Sequence, residues 1–170
     1  WKNTVCVLGD DGDANLHMND AEDVLASTQA NYPEYHYRRI YWDAYTLENT
    51  STGASFPGAY ADINKQMEDG ALIMNYTGHG AAYSLSHEKV LRRTDFEKWN
   101  SPRLPLWITA ACDISPFDMN EANIGESALL NPKGAAMGVI TTTRTVYSSQ
   151  NRKINKSFMT NVLGKHEDGR

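Results

Sequence analysis

Cysteine is scarce in this chain: Cys6 and Cys112 are the two cysteines among 170 residues. Two cysteines cannot build the disulfide framework that stabilises small secreted domains. Cys6 lies inside the apolar residues 5–8, where we expect a buried and inert thiol. Because a disulfide needs close and correctly oriented side chains, we predict two free thiols rather than a bridge between a mid-strand and a strand-end cysteine.

Long apolar runs and dense basic clusters are also missing from the sequence. No apolar run approaches the ~20 residues that a membrane-spanning helix needs. The net charge is −5, whereas nucleic-acid-binding proteins usually carry a basic patch, so we predict no nucleic-acid partner. The chain starts at Trp1 without a methionine, and we expect residues 1–170 to be one domain or subdomain of a larger protein.

Apolar segments alternate with segments of helical periodicity along the whole chain. The apolar segments are short and rich in β-branched or aromatic residues, which is typical of buried strands. Five strands are predicted, at residues 4–8, 35–42, 71–76, 104–111 and 134–143. This alternation predicts an α/β domain with a mainly parallel sheet and helices on both faces.

His79 and Cys112 each follow the apolar end of a predicted strand. In an open parallel sheet, binding and catalytic groups collect at the carboxyl ends of the strands, so we expect both side chains in one crevice. A thiol beside an imidazole is an activated nucleophile with its base. Polar loops predicted at residues 81–93 and 115–123 are the usual carriers of specificity. The alternative is a packed cysteine and a strand-end histidine without catalytic roles.

The residues around these two side chains resemble the catalytic motifs of the gingipain family. The motifs are Asn-Tyr-Thr-Gly-His-Gly at residues 75–80 and Ala-Ala-Cys-Asp at residues 110–113. Gingipains are cysteine peptidases of the caspase-like clan, in which one apolar strand ends in His-Gly and a later strand ends in Cys. The resemblance implies a caspase-like fold over most of the chain and a catalytic domain that is a fragment of a larger protein.

The same resemblance implies roles for individual residues. Cys112 corresponds to the nucleophile and His79 to the acid and base, while the backbone N–H groups of Gly80 and Cys112 correspond to the oxyanion hole. Gingipains place a Glu in the turn after the first strand. Asp11 takes that position here, with Asp10 beside it, so the resemblance implies that one of them orients His79. A solvated turn is an equally good explanation of these aspartates.

Two further residues are candidates for substrate binding. Met18 lies at about the position where Arg-specific gingipains carry an acidic residue, so the resemblance implies preference for a different, smaller or apolar, substrate side chain. Arg144 follows the last predicted strand, where it could bind a carboxylate or a peptide carbonyl. A surface arginine is the alternative interpretation of Arg144.

Neither a cofactor nor a metal site is predicted. Asp11, Asp13 and Asn15 alternate as the first ligands of an EF-hand loop do, but Leu16 stands where that loop requires glycine. The histidines at positions 17 and 87 have no familiar zinc-ligand spacing to the cysteine at position 112.

Other stretches are most similar, within the gingipain family, to the signal peptidases of type IX secretion. They include residues 10–13, 117–118 and 143–147. This likeness implies cleavage of C-terminal signal domains from secreted cargo through a thioester, and sortase-like transfer of the cargo to an amine of anionic lipopolysaccharide. It also implies other secretion-system subunits as partners, at the outer-membrane surface of the bacterial cell envelope. A general gingipain-like endopeptidase and a non-catalytic caspase-like scaffold are the alternatives.

Overall fold

The computed structural model describes residues 1–51 and 53–164, except for the side chain at position 50. Its helices and strands follow in the order β1 (Thr4–Gly9), α1 (Gly12–Asn31), β2 (His36–Tyr41), β3 (Glu48–Thr50), β4 (Gly53–Ser55), α2 (Pro57–Asp69), β5 (Ile73–Thr77), β6 (Gly80–Ala81), β7 (Ser84–Leu85), β8 (Leu91–Arg92), α3 (Arg93–Lys98), β9 (Leu106–Ala110), α4 (Ile124–Leu130), β10 (Gly138–Ile140) and α5 (Ser148–Val162). Among these residues, no helix has the length and apolarity needed to cross a lipid bilayer.

Five strands form one parallel sheet in the order β10-β9-β5-β1-β2. The central strands β9, β5 and β1 are apolar and almost entirely buried, because helices cover both faces of the sheet. The edge strand β10 is shorter than the predicted segment 134–143: Gly134 has a left-handed backbone with φ of 101° before the strand begins, and residues 141–143 follow the strand without pairing to β9. The predicted α/β fold, with a parallel sheet between two helical layers, is confirmed.

The side chains of each central strand alternate between two hydrophobic cores. Val5 and Val7 of β1 enter the core formed with α1 and α5, whereas Cys6 and Leu8 enter the core formed with α2, α3 and α4. This period of two is that of an extended strand. This alternation fixes the face of the sheet to which each side chain of a central strand points. It therefore also constrains the residues just beyond the carboxyl end of the strand.

Two segments without a clear sequence pattern contain short strands. The hairpin of β3 and β4 lies before α2. Strands β6, β7 and β8 form a three-stranded antiparallel sheet that begins at Gly80 and otherwise lies in the segment predicted as a polar loop at residues 81–93. Leu85, Val90 and Leu91 anchor this small sheet in the core. Strands of two residues are too short to produce a detectable periodicity, which explains the difference from the prediction. Residues 115–123 form a loop, as predicted.

A reciprocal pair of buried amides ties α5 to the centre of the sheet. Asn75 Nδ2 donates to Asn155 Oδ1 at 2.7 Å, and Asn155 Nδ2 donates to Asn75 Oδ1 at 2.9 Å. Because an unpaired buried amide would be costly, the pair allows one packing position of α5 against β5. The strand that leads to His79 is thereby held from both the sheet and the helix.

Candidate active site

The register of the sheet brings His79 and Cys112 to neighbouring positions. Thr77 at the end of β5 pairs with Ala110 at the end of β9, and His79 and Cys112 each lie two residues beyond these partners. Both side chains line one cavity of about 220 Å³. The fold therefore places a thiol and an imidazole in one crevice at the carboxyl edge of the sheet.

Buried side chains hold the backbone of His79 on both sides. Asp10 is 1% exposed, and its Oδ2 accepts a hydrogen bond from the His79 N–H at 3.0 Å while its Oδ1 accepts one from the Gly12 N–H at 2.9 Å. The Tyr76 hydroxyl donates to the His79 carbonyl oxygen at 2.7 Å. Because both backbone polar groups of His79 are satisfied in this way, the turn fixes its backbone and the direction in which its side chain leaves the backbone.

The same contacts exclude a side chain at position 78. A Cβ atom on Gly78 would lie 2.3 Å from the Tyr76 hydroxyl oxygen and 2.5 Å from Asp10 Cβ. We therefore expect Gly78→Ala to lower the free energy of unfolding by about 1–3 kcal/mol, measured by urea denaturation, because the turn must move to admit the methyl group. Gly138→Ala is the control, since its Cβ would meet Leu106 Cδ1 at 3.3 Å. An equal loss in the control would contradict the crowding at position 78.

Cys112 is held between β9 and the segment that follows β10. The Val146 N–H donates to Cys112 Sγ at 3.4 Å, and the thiol donates to the Val146 carbonyl oxygen at 3.4 Å. The neighbouring Asp113 has a φ of 51°, and its carboxylate accepts a hydrogen bond from the Thr145 hydroxyl at 2.9 Å. Asp tolerates the left-handed region better than most residues, so this turn can present the thiol at the strand end.

Three consecutive residues in the left-handed region open α1. They are Asp13, Ala14 and Asn15, with φ values of 54°, 55° and 65°. This conformation is costly for residues that carry a side chain, and such strain is concentrated at functional sites. It brings Asp13 Oδ2 to 3.2 Å from His79 Nε2 and to 3.5 Å from His17 Nε2. Asp13, which the sequence did not single out as a partner of His79, therefore contacts its imidazole.

Two further histidines flank the His79 ring. His87 stacks on it with ring centroids 4.0 Å apart, and His17 meets it edge-on at 4.6 Å. Burial, followed by the neighbouring His79, lowers the pKa of His17, which favours its neutral form at physiological pH. The three histidines come from α1 and from the segments before and after β7, so their spacing along the sequence gives no signal of this cluster.

Gly80 packs directly against the Cys112 turn. A Cβ atom on Gly80 would lie 2.5 Å from Ile114 Cδ1, and 2.9 Å from both Ala111 Cβ and the Cys112 carbonyl oxygen. The lack of a side chain allows the two backbone segments to approach this closely. The backbone N–H groups of Gly80 and Cys112 thus belong to adjacent segments, and their role as an oxyanion hole stays a prediction.

The sequence pattern of peptidase family C25 matches residues 1–170, the whole chain. The chain belongs to peptidase family C25. No curated protein matches it in sequence. Among solved structures, the Arg-specific cysteine proteinase gingipain R (RgpB) superposes with a TM-score of 0.72 at 17% identity, covering 99% of this chain and 38% of the gingipain chain.

Two further solved structures resemble the C25 domain. The complex of Porphyromonas gingivalis RgpB pro- and mature domains gives a TM-score of 0.73 at 17% identity, over 98% of this chain and 38% of the other. A structure described as a protease gives 0.64 at 17% identity, over 89% of this chain and 32% of the other. The chain therefore has the caspase-like fold of gingipains and spans 38% of the gingipain chain length.

Asp11 and Met18, singled out from the sequence, are not among the residues that line the cavity of His79 and Cys112. The Asp11 carboxyl lies near those of Asp10 and Glu88, and its pKa is raised by burial and then by the Glu88 charge. Met18 is 7% exposed and packs over Gly9. The residues of α1 that line the cavity instead are Asp13, Leu16, His17 and Asp20. Met18 points elsewhere because successive helical residues are rotated by about 100°.

Arg144 lies on the exposed loop between β10 and α5. Its guanidinium is 2.6 Å from Asp118 Oδ2 and lies over the Phe117 ring, 5.9 Å from the centroid. Its carbonyl oxygen accepts a hydrogen bond from the Asp113 N–H at 3.3 Å. The backbone of Arg144 thus supports the thiol turn, while its side chain pairs with Asp118 on the loop that follows Cys112, so a role in binding substrate stays a prediction.

The two thiols of the C25 domain differ in burial, which predicts different reactivity. Burial raises the pKa of Cys6 to about 12, whereas Cys112 is half-buried and lines the cavity. We expect iodoacetamide at about pH 8 to modify Cys112 in the native protein, and Cys6 only after unfolding in urea, as read by peptide mass spectrometry. Equal labelling of the two cysteines in the native protein would contradict the burial of β1.

Proposed function

We propose that the C25 domain cleaves peptide bonds with Cys112 as the nucleophile and His79 as the acid and base. One observation carries this proposal: the register of β5 and β9 places both residues two positions beyond paired strand ends, on one cavity. A nucleophile within reach of a positioned imidazole is the arrangement that thiol peptidases need.

The first half of the reaction forms a thioester. The Cys112 thiolate attacks the carbonyl carbon of the scissile bond, a C–S bond forms, and the carbonyl π electrons move to the oxygen. The N–H groups of Gly80 and Cys112 donate to this oxyanion, and each such donor is worth about 2.7–4 kcal/mol in the transition state. Collapse of the intermediate breaks the C–N bond, and the amine departs with a proton supplied by the His79 imidazolium.

Asp13 is the residue that we assign to orient the imidazole. Its Oδ2 lies 3.2 Å from His79 Nε2, within ion-pair distance but outside hydrogen-bond geometry, so the attraction that we assign is electrostatic. This contact leaves Nδ1 of His79 as the nitrogen that exchanges a proton with Cys112 and the leaving amine.

We infer further that the substrates are secreted proteins with a C-terminal secretion signal, as for PorU, the type IX secretion peptidase that residues 10–13 and 143–147 resemble. Water that attacks the thioester carbon breaks the C–S bond, releases the cargo as a carboxylic acid and restores the Cys112 thiol. An amine carried by anionic lipopolysaccharide that attacks the same carbon also breaks the C–S bond and restores the thiol, but forms a new amide, as in sortases. The protein would then act at the outer-membrane surface of a bacterial envelope, beside other subunits of the secretion system.

The lining of the cavity supports a substrate other than an arginine peptide. Asp20 is the buried acid on the α1 side of the cavity, and its carboxylate lies 3.3 Å from an Arg152 nitrogen. Since Asp20 already has a cationic partner, it does not offer the free carboxylate that would select a substrate arginine. Leu16 adds an apolar surface to the same side.

Two peptides of equal length test this function in the full-length protein. One spans the junction between a secreted domain and its C-terminal signal, and the other has the same composition in scrambled order. We expect cleavage of the first alone, and an added small amine should appear on the N-terminal product by mass spectrometry. Digestion of both peptides would favour a general endopeptidase, and a lack of any acyl-enzyme in the folded protein would favour the scaffold.

A further inference from the structure

Three side chains direct their polar atoms to one point beside the cavity. The ligand atoms of Asp13, His17 and His79 all lie within 4.8 Å of one another. We propose that these three side chains bind Zn²⁺ or a chemically similar divalent transition metal, and that the bound ion inhibits the peptidase by engaging His79. Metal binding is independent of the function proposed above, and only the inhibition rests on it.

Two buried nitrogen atoms at this point have no hydrogen-bond partner among the described residues. They are Nε2 of His17, a side chain that is 8% exposed, and Nε2 of His79. Asp13 Oδ2 lies close to both nitrogens, but in a direction that does not satisfy hydrogen-bond geometry. Because buried polar atoms almost always have a partner, two converging nitrogens without one indicate a site for a ligand.

The separations of the three atoms fit a single ion. Zn²⁺ binds His nitrogen and carboxylate oxygen at about 2.0–2.2 Å, so neighbouring ligands of a tetrahedral site are roughly 3.3 Å apart. Asp13 Oδ2 lies 3.2 Å from His79 Nε2 and 3.5 Å from His17 Nε2. Both values agree with a tetrahedral edge, and the two nitrogens are themselves within 4.8 Å.

The donor set decides which metal the site would take. Two imidazoles and one carboxylate favour Zn²⁺ or Co²⁺, whereas Ca²⁺ and Mg²⁺ prefer oxygen ligands throughout. The cavity lined by His17 and His79 leaves a fourth position open to water.

Inhibition is expected because the metal would bind Nε2 of the catalytic His79. The ion would bind His79 Nε2 and take Asp13 away from it, so the imidazole would lose the carboxylate that orients it for proton transfer. The same side chains therefore support catalysis without the ion and prevent catalysis with it.

Direct metal titration tests the site in full-length protein that carries Cys112→Ala, so that the thiol contributes nothing. We expect one Co²⁺ per chain, with the visible absorption of tetrahedral cobalt, and one Zn²⁺ by calorimetry. His17→Ala and, separately, Asp13→Asn should weaken Zn²⁺ binding by about 100-fold or more, since changes outside the ligands alone cost 10–100-fold. His87→Ala is the matched control, because His87 stacks on His79 without belonging to the cluster, and it should leave the affinity unchanged.

Each outcome decides one of the two proposals. Circular dichroism checks that each protein is folded. The metal site is wrong if the folded protein binds no Co²⁺, or if its Zn²⁺ affinity is unchanged in both His17→Ala and Asp13→Asn. With Cys112 intact, Zn²⁺ should stop peptide cleavage and a chelator should restore it, whereas Asp13→Asn should make the remaining activity resistant to Zn²⁺. A protein that binds the metal but cleaves no peptide would keep the site and refute the proposed function instead.

Discussion

Replacing Cys112 by alanine is expected to lower kcat for peptide cleavage on the order of 10⁶-fold, the scale seen when a peptidase loses its nucleophile. Without Sγ no thioester can form, and what remains is the weak assistance that the oxyanion donors give to water. His79→Ala is expected to lower kcat by about 10²–10⁴-fold, because the thiol is retained and only proton transfer is lost. Both constants are measured with the signal-junction peptide in a continuous fluorescence assay.

Two comparisons make the dyad prediction specific. Cys6→Ala removes the second thiol of the protein from the core and should leave kcat unchanged, since Cys6 is fully buried away from the cavity. The double change of Cys112 and His79 should be no worse than Cys112→Ala alone, because residues that act as a unit are not additive. Cleavage at the parental rate by Cys112→Ala would assign the chemistry to another group.

The sheet could be predicted because a strand that is buried on both faces is a continuous apolar run, which is easily recognised in the sequence. The segments that became β1, β5 and β9 are continuous apolar runs, as expected for strands that are covered on both faces. Their ends identified His79 and Cys112, and the register of Thr77 with Ala110 shows why both residues reach the same crevice. The order of the strands, however, depends on contacts between distant segments that periodicity does not reveal.

The partners of His79 could not be predicted, because they depend on local backbone geometry. Asp13 reaches the imidazole through three consecutive left-handed residues, a conformation that no sequence pattern favours for a non-glycine run. Asp11, the position suggested by family resemblance, precedes this turn and lies near Glu88 instead. Asp10, one residue earlier, binds the His79 backbone rather than its ring.

Asp10→Ala is expected to lower the free energy of unfolding by about 2–4 kcal/mol, since it removes the acceptor of two half-buried N–H groups at about 1–2 kcal/mol each. These are the N–H groups of His79 and Gly12, which donate to the Asp10 carboxylate at 3.0 and 2.9 Å. Asp10→Asn keeps one acceptor oxygen and should lose about half as much. A displaced imidazole also costs activity, and a shift of about 1 Å can lower kcat about 10²-fold. Urea denaturation and kcat measured on the same samples check both effects.

Asp11→Asn is the matched control, because Asp11 occupies the same turn without a side-chain capping bond. Burial, followed by the Glu88 charge, raises its pKa in the folded protein. A raised carboxyl pKa contributes stability when the group is protonated, and this contribution is lost as the pH rises through the folded-state pKa. Asp11→Asn should therefore equal or exceed the parent in stability at about pH 7, with the advantage disappearing below about pH 4. If Asp11→Asn lost more stability and more kcat than Asp10→Asn, Asp11 rather than Asp10 would be the residue that holds the His79 turn.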